Sequence, residues 1–138
     1  KQNLEDESLI TYRLGKFKCS FETGSSPQAK VELIGKDGAT FSATGEGDGP
    51  VDAIYNCIDK ISGLQCKLLD YQVMSKTKGQ DAQGEVTVLV LNETRESLGK
   101  GSSLNTLEAS AEAYIDAINK LLLKKKSGHV DSSDVPGP

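Results

Sequence analysis

Residues 45–54 have the sequence Gly45-Glu46-Gly47-Asp48-Gly49-Pro50-Val51-Asp52-Ala53-Ile54. Three glycines within five positions let the backbone adopt a positive φ or lie close to a neighbouring group. Pro50 suits the first residue of a helix, because the N–H that proline lacks would have no partner there. Gly49 would then be the N-cap, and Asp52 would lie in the first turn, where a negative charge is favourable. The stretch predicts a strand end followed by a helix whose free N–H groups could bind a carboxylate or a phosphate.

Two nucleotide-binding patterns do not fit this stretch. A dinucleotide fingerprint needs a further glycine three residues after Gly49, where Asp52 stands. A P-loop needs a Gly-Lys-Ser/Thr sequence, which is missing here. A tight strand-to-helix connection that binds nothing stays open as an alternative.

Length and composition favour one soluble domain, since the chain has 138 residues, 36% of them hydrophobic, and a net charge of −4. The acidic balance argues against a nucleic-acid partner, and no apolar run reaches the roughly 20 residues of a membrane span. Cys19, Cys57 and Cys66 are odd in number and lack C-x-x-C spacing. We therefore expect reduced, structural cysteines in a cytoplasmic protein, with no metal site and no membrane partner.

Catalysis is not expected from this chain. Its only histidine, His129, lies in a polar C-terminal segment, whereas nucleophilic and metal chemistry need histidine in the folded body. We predict no catalytic residue and no cofactor. The chain starts at Lys1 and its one methionine is Met74, so we expect a piece of a longer protein.

The first half of the chain alternates in the manner of strands before the helix begins. Phe17, Cys19 and Phe21 would share one face, and Ala29 and its alternate neighbours would point inward. The predicted elements are strands at 12–21, 29–33 and 41–43, an Asp-Gly hairpin turn at 35–38, and a helix at 50–61 that stops at Gly63.

The second half repeats this order. A strand at 67–74 would place Leu69, Tyr71 and Val73 on one side, a polar loop would follow at 78–84, and a strand at 86–91 comes next. A glycine-rich turn at 99–101 would open a second helix. That helix has Asn105 as cap, Glu108 completing a capping box, and an apolar stripe ending near Lys124-Lys125-Lys126. The stripe consists of Leu107, Ala111, Tyr114, Ile118 and Leu121.

The order strand, strand, strand, helix therefore occurs twice. One such unit covers only one face of its sheet, so two units would pack together and two chains would pack again. We predict an α+β fold of two repeated strand-strand-strand-helix units that forms a homodimer. The predicted organisation is a linker at 1–11, the domain at 12–125, and a disordered tail or non-native remnant at 126–138.

Four motifs in this order carry a resemblance to a known family. They are Gly45-x-Gly47-Asp48-Gly49-Pro50-Val51-Asp52-Ala53; Leu69-Asp70-Tyr71; Gly79-x-Asp81-Ala82-x-Gly84; and Gly99-x-Gly101 followed by Glu108-Ala109-Ser110-x-x-Ala113-Tyr114. From Tyr12 to Leu122 the chain closely resembles the C-terminal regulatory domain of 2-isopropylmalate synthase, the first committed enzyme of leucine biosynthesis. The related regulatory domain of citramalate synthase shares the pattern.

The resemblance implies a module that dimerises and binds the end product of its pathway between the two units, near the subunit interface. Binding would slow a separate catalytic barrel, absent here, that condenses acetyl-CoA with a 2-oxo acid using a divalent metal. The effector would be leucine, or isoleucine for the citramalate relative. A purely structural dimerisation module without a ligand is the alternative of another class.

The resemblance also assigns an effector site by position. One departure is Ser103-Leu104-Asn105, where the family usually has Ser-Thr-Asp, and this leaves leucine and isoleucine both open. Tyr71 could equally be a core residue, and Asp52 could be only a favourable helix-start charge. The implied effector-binding residues are Gly47, Gly49, Val51, Asp52, Leu68, Tyr71, Ser75, Gln80, Ala82, Gly84, Ser102 and Leu104.

Overall fold

The computed structural model describes residues 11–75 and 83–134, without the side chains of Ser75 and of residues 124–134. The predicted α+β fold of two strand-strand-strand-helix units is confirmed. Within the described residues, no helix is both long and apolar enough to cross a membrane. The elements are β1 Tyr12–Ser20, β2 Gln28–Gly35, β3 Thr40–Glu46, α1 Pro50–Ser62, β4 Lys67–Ser75, β5 Gly84–Asn92, β6 Arg95–Ser103 and α2 Thr106–Asp134.

Each unit contains one antiparallel sheet with its second strand in the middle. The strand orders are β1-β2-β3 and β4-β5-β6. The central strands alternate as their sequences predict, with their buried side chains facing the helices. These inward residues are Ala29, Val31 and Leu33 on β2, and Val86, Val88 and Val90 on β5.

A β-bulge interrupts the first strand of each unit. The pairing of β1 with β2 shifts between Leu14 and Lys16, and that of β4 with β5 shifts between Leu68 and Asp70. The predicted strand β4 is confirmed, and Tyr71 and Val73 share one face as predicted. The second bulge makes the placement of Leu69 on that face wrong, because Leu69 is 40% exposed while Leu68 packs against the core. An extra residue reverses the alternation of side chains along a strand.

The end of the first strand also differs from our prediction. β1 stops at Ser20, so Phe21 lies outside the sheet and is 62% exposed, although Phe17 and Cys19 do pack against the core. The hairpin turn predicted at residues 35–38, between β2 and β3, is confirmed, with Gly38 at φ 90°.

The predicted start and end of α1 are confirmed. Gly49 is its N-cap in an extended conformation, Pro50 is its first residue, and Asp52 lies in its first turn. Gly63 ends the helix at φ 79°, the left-handed conformation that glycine adopts without strain.

The start of α2 keeps the predicted cap but not the predicted capping box. The Asn105 Oδ1 accepts the N–H groups of Leu107 at 2.8 Å and Glu108 at 3.2 Å. The Glu108 carboxylate does not reach back to Asn105; it accepts the Ser103 hydroxyl at 2.8 Å. The helix continues to Asp134, so our placement of its last turn at residues 124–126 is wrong. The domain boundaries at residues 12 and 126 stay predictions.

We had predicted a turn at Gly99 and Gly101, and this prediction is wrong. Both glycines lie within β6. A Cβ on Gly99 would collide with the carbonyl oxygen of Ala113, and one on Gly101 would collide with that of Ala109. These glycines therefore let α2 pack directly on the backbone of β6, a contact that no larger residue would permit.

Candidate functional site

A cavity of about 280 Å³ lies between the start of α1 and the residues that lead into β4. It brings together three of the residues that the sequence predicted for an effector site, namely Gly47, Asp52 and Leu68. The complete lining is Gly47, Asp48, Asp52, Tyr55, Asn56, Asp59, Cys66, Leu68 and Tyr114. Both units contribute to it, since Tyr114 belongs to α2 and Leu68 to β4.

The cavity lies against the start of α1. Gly47 is pressed against the first turn, where an added Cβ would lie 2.5 Å from the amide nitrogen of Ala53. The N–H of Gly47 bonds to the carbonyl oxygen of Pro27 at 3.2 Å, which fixes the loop before the helix. Among the described residues, no side chain caps the first N–H groups of α1, in contrast to α2 with its Asn105 cap. A helix end of this kind favours a negatively charged ligand group.

The cavity is acidic. Three carboxylates line it, those of Asp48, Asp52 and Asp59, and none of the described lining residues is Lys, Arg or His. Burial raises the pKa of Asp59 to about 6, and the hydroxyl of Tyr114, which donates to Asp59 Oδ1 at 2.7 Å, opposes that shift. Burial and the neighbouring Asp59 raise the pKa of Cys66 to about 11, so its thiol stays protonated at neutral pH. A ligand that fits here should carry a positive charge beside its negative one.

Metal binding is not indicated by these acids. In residues 11–75 and 83–134, no group of three or more His, Cys, Asp or Glu side chains is arranged to hold a metal ion.

Tyr71, another predicted residue, is connected to the cavity through α2. Its hydroxyl lies 2.6 Å from the Oγ of Ser110, and the hydroxyl of Tyr55 donates to the carbonyl oxygen of Ser110 at 2.8 Å. Tyr55 lines the cavity and stacks on Tyr114, with ring centroids 3.9 Å apart. Gly49 and Val51 lie half-buried at the same helix start without lining the cavity.

The remaining predicted residues form a second group at the end of the β4-β5-β6 sheet. Gly84 is opposite Ser75 on β4 and Ser103 on β6, next to the exposed Ser102. Leu104 follows at the start of α2 and is 75% exposed. Gln80, Ala82 and the side chain of Ser75 lie outside the described residues, as does most of the predicted loop at 78–84.

Several lining residues were not among our predicted site residues. Asn56 and Asp59 follow Asp52 at helical spacing, so the polar face beside the apolar stripe of α1 could have indicated them. Tyr114 offered no such signal, because it reaches the cavity from a helix that begins more than forty residues after α1 ends. The other missed residues are Asp48, Tyr55 and Cys66.

The fold and this site define an α+β domain made of two repeated units with an acidic cavity where the units meet. The sequence matches the family model of the LeuA allosteric (dimerisation) domain over residues 1–122. This chain belongs to that family, and the resemblance to the regulatory domain of 2-isopropylmalate synthase is confirmed. The match also includes residues 1–11, for which we had predicted a linker.

Relatives from several bacteria agree with this family. A 2-isopropylmalate synthase of Carboxydothermus hydrogenoformans is 46% identical over 81% of this chain and 22% of that protein. One of Aromatoleum aromaticum is 43% identical over 87% of the chain and 24% of that protein. One of Stenotrophomonas maltophilia is 40% identical over 92% of the chain and 24% of that protein. The chain thus spans about a quarter of the length of the curated relatives it matches.

Proposed function

We propose that this chain is the leucine-binding feedback-inhibition domain of a 2-isopropylmalate synthase. The observation that carries the proposal is the cavity at the start of α1, where uncapped helix N–H groups lie beside the carboxylate of Asp52 and the side chain of Leu68. Leucine binding there would lower the activity of a separate catalytic barrel. That barrel would condense acetyl-CoA with a 2-oxo acid and would hold the divalent metal. This chain itself would catalyse nothing.

Each part of a free amino acid has a counterpart in the cavity. The carboxylate would accept the N–H group of Asp52, the first-turn residue of α1 that lines the cavity. The ammonium would bind the carboxylate of Asp52. The branched side chain would contact Leu68 and point along β4 toward Tyr71. The cavity volume of about 280 Å³ lies just below the roughly 300–1,000 Å³ of ligand pockets, which suits so small a ligand.

A homodimer belongs to the same proposal. The family description names dimerisation, and exposed apolar side chains surround the second group of predicted site residues. Val73 is 45%, Met74 60% and Leu104 75% exposed, and strand pairing places them toward one end of the same sheet. A partner subunit covering this end would bury them and would bring Gly84 and Ser102 into the effector site. The free thiols fit a reducing cytoplasm.

Titration calorimetry tests the ligand. Leucine should release heat on binding to this chain, whereas valine and isoleucine should bind more weakly. Misplacing or removing one methyl group in an apolar pocket costs about 1–3 kcal/mol. The 2-oxo acid analogue of leucine serves as the matched control, because it lacks the ammonium that Asp52 would bind.

Other outcomes of the titration would replace the proposal. Binding of isoleucine in preference to leucine would favour the citramalate synthase type of regulatory domain. Absence of binding by all three amino acids would favour the structural dimerisation module. Equal binding of leucine and its 2-oxo acid would contradict the assignment of the ammonium to Asp52.

A further inference from the structure

Ser110 on α2 is one of the residues through which the two units contact each other. Its side chain is fully buried, and two tyrosine hydroxyls reach it from different units. Tyr55 of α1 donates to its carbonyl oxygen at 2.8 Å, and the hydroxyl of Tyr71 on β4 lies 2.6 Å from its Oγ. A buried polar side chain in the middle of an apolar helix face needs a specific explanation.

The direction of the second hydrogen bond follows from the partners of Ser110. Its Oγ is 2.8 Å from the carbonyl oxygen of Thr106, which can only accept, so the single hydroxyl hydrogen of Ser110 is committed there. The Oγ must therefore accept the hydrogen of Tyr71. This bond fixes the position of the Tyr71 hydroxyl and leaves the lone pairs of the Tyr71 oxygen as its remaining hydrogen-bonding capacity.

Besides its apolar packing against the core, Tyr71 has few neighbours on its own strand that could hold its ring. β4 is an edge strand, and the residues after Tyr71, namely Gln72, Val73 and Met74, are all exposed. Tyr71 itself is only half-buried. The hydrogen bond to Ser110 is thus the polar contact that orients the ring against α2.

The same residue connects Tyr71 with the acidic cavity. Tyr55, which donates to Ser110, stacks on Tyr114 at a centroid distance of 3.9 Å and an interplanar angle of 13°. Tyr114 in turn donates to Asp59 at 2.7 Å. A continuous set of contacts therefore joins the cavity beside α1 to the side chain of Tyr71 on the other unit.

We propose that Ser110 is a positioning residue for effector binding, which holds Tyr71 in the orientation that forms the wall of the effector site. This inference rests on the proposed function and adds to it a residue that does not line the cavity. Without the Ser110 hydroxyl, only the apolar packing orients the Tyr71 ring, and part of the binding free energy is used to fix its hydroxyl group again.

A mutant cycle on leucine affinity tests this role. Ser110→Ala should weaken leucine binding about fivefold, the loss of one ordinary hydrogen bond. The same change should have no further effect in a Tyr71→Phe background, because the hydroxyl through which Ser110 acts is already gone. Ser110→Thr keeps the hydroxyl and should restore most of the affinity. The matched control is Ser97→Ala, which removes another buried serine that bonds α2 at the carbonyl oxygen of Ala117, away from the cavity.

Near-ultraviolet circular dichroism supplies an independent readout. The chain has four tyrosines and no tryptophan, and Tyr55, Tyr71 and Tyr114 all belong to this set of contacts. The tyrosine signal should change on adding leucine to the unmodified chain, and Ser110→Ala should reduce that change while Ser97→Ala should not.

Several results would overturn the inference. Unchanged leucine affinity in Ser110→Ala would do so, and so would an equal loss from that change with and without the Tyr71 hydroxyl. If the unmodified chain binds no leucine, the proposed function is wrong, and the positioning role of Ser110 is then wrong as well.

Discussion

The partly buried carboxylate of Asp59 should make the stability of this domain sensitive to pH. Burial raises the pKa of Asp59 to about 6, above the value of about 3.9 for an unfolded aspartate. Between about pH 4 and pH 6 the folded state therefore binds more protons than the unfolded state. The stabilising contribution of the protonated group is fully present below about pH 4 and is lost as the pH rises through 6.

Replacing Asp59 with Asn removes the contribution of this residue to the pH dependence, whereas Glu112, whose pKa is raised by burial, keeps its own contribution. The amide keeps an acceptor for the Tyr114 hydroxyl and cannot ionise. We expect the free energy of unfolding at pH 7 to rise by about 1 kcal/mol, less than the whole pKa shift would give, because the carboxylate is partly exposed. Urea unfolding at several pH values between 4 and 7 measures both effects.

Asp48→Asn is the matched control for this measurement, since Asp48 lines the same cavity but is exposed. Its stability profile should follow that of the unmodified chain. An Asp59→Asn variant that keeps the full decline in stability between pH 4 and pH 6 would show that another group is responsible.

At the scale of single helices and strands, the sequence predicts the features that depend only on residues close to one another in the chain. Alternation of Ala29, Val31 and Leu33 is enough to predict a strand with one buried face, and the Gly49-Pro50 pair is enough to predict where α1 begins. Both features are local, so no knowledge of the remaining fold is needed.

Features set by contacts between distant elements were not predictable. Leu68, Leu69, Tyr71 and Val73 are all apolar or aromatic, and only the pairing with β5 shows that a bulge separates Leu69 from the core. The glycines at positions 99 and 101 suggested a turn. The physical reason for glycine at these positions is the close packing of α2 on β6. The same limit applies to the cavity, where Asp52 and Leu68 were predicted and Tyr114 on α2 was not.

At the scale of the whole molecule, a homodimer should form through the apolar end of the β4-β5-β6 sheet. Sedimentation equilibrium should give about twice the chain mass of 14.7 kDa. Leu104→Asp should shift the mass toward the monomer, because it places a charge among the exposed apolar side chains of that end.

Phe21→Asp is the control for this prediction. Phe21 is 62% exposed just after β1, outside the β4-β5-β6 sheet, and this variant should stay dimeric. A monomer mass for the unmodified chain at micromolar concentration would contradict the homodimer.

The melting temperature with and without leucine, measured for the unmodified chain and for Asp52→Asn, tests most directly whether the cavity at α1 is an effector site. At one hundred times its dissociation constant, leucine should stabilise the unmodified chain by about 2.7 kcal/mol, or roughly 10 °C for a domain of this size. Asp52→Asn should change the unliganded melting temperature little, because a first-turn charge contributes under about 1 kcal/mol. It should lose most of the leucine-induced increase, whereas Glu96→Gln, which neutralises an exposed carboxylate on β6, should keep it. A full leucine-induced increase in Asp52→Asn, or none in the unmodified chain, would contradict the proposed effector site.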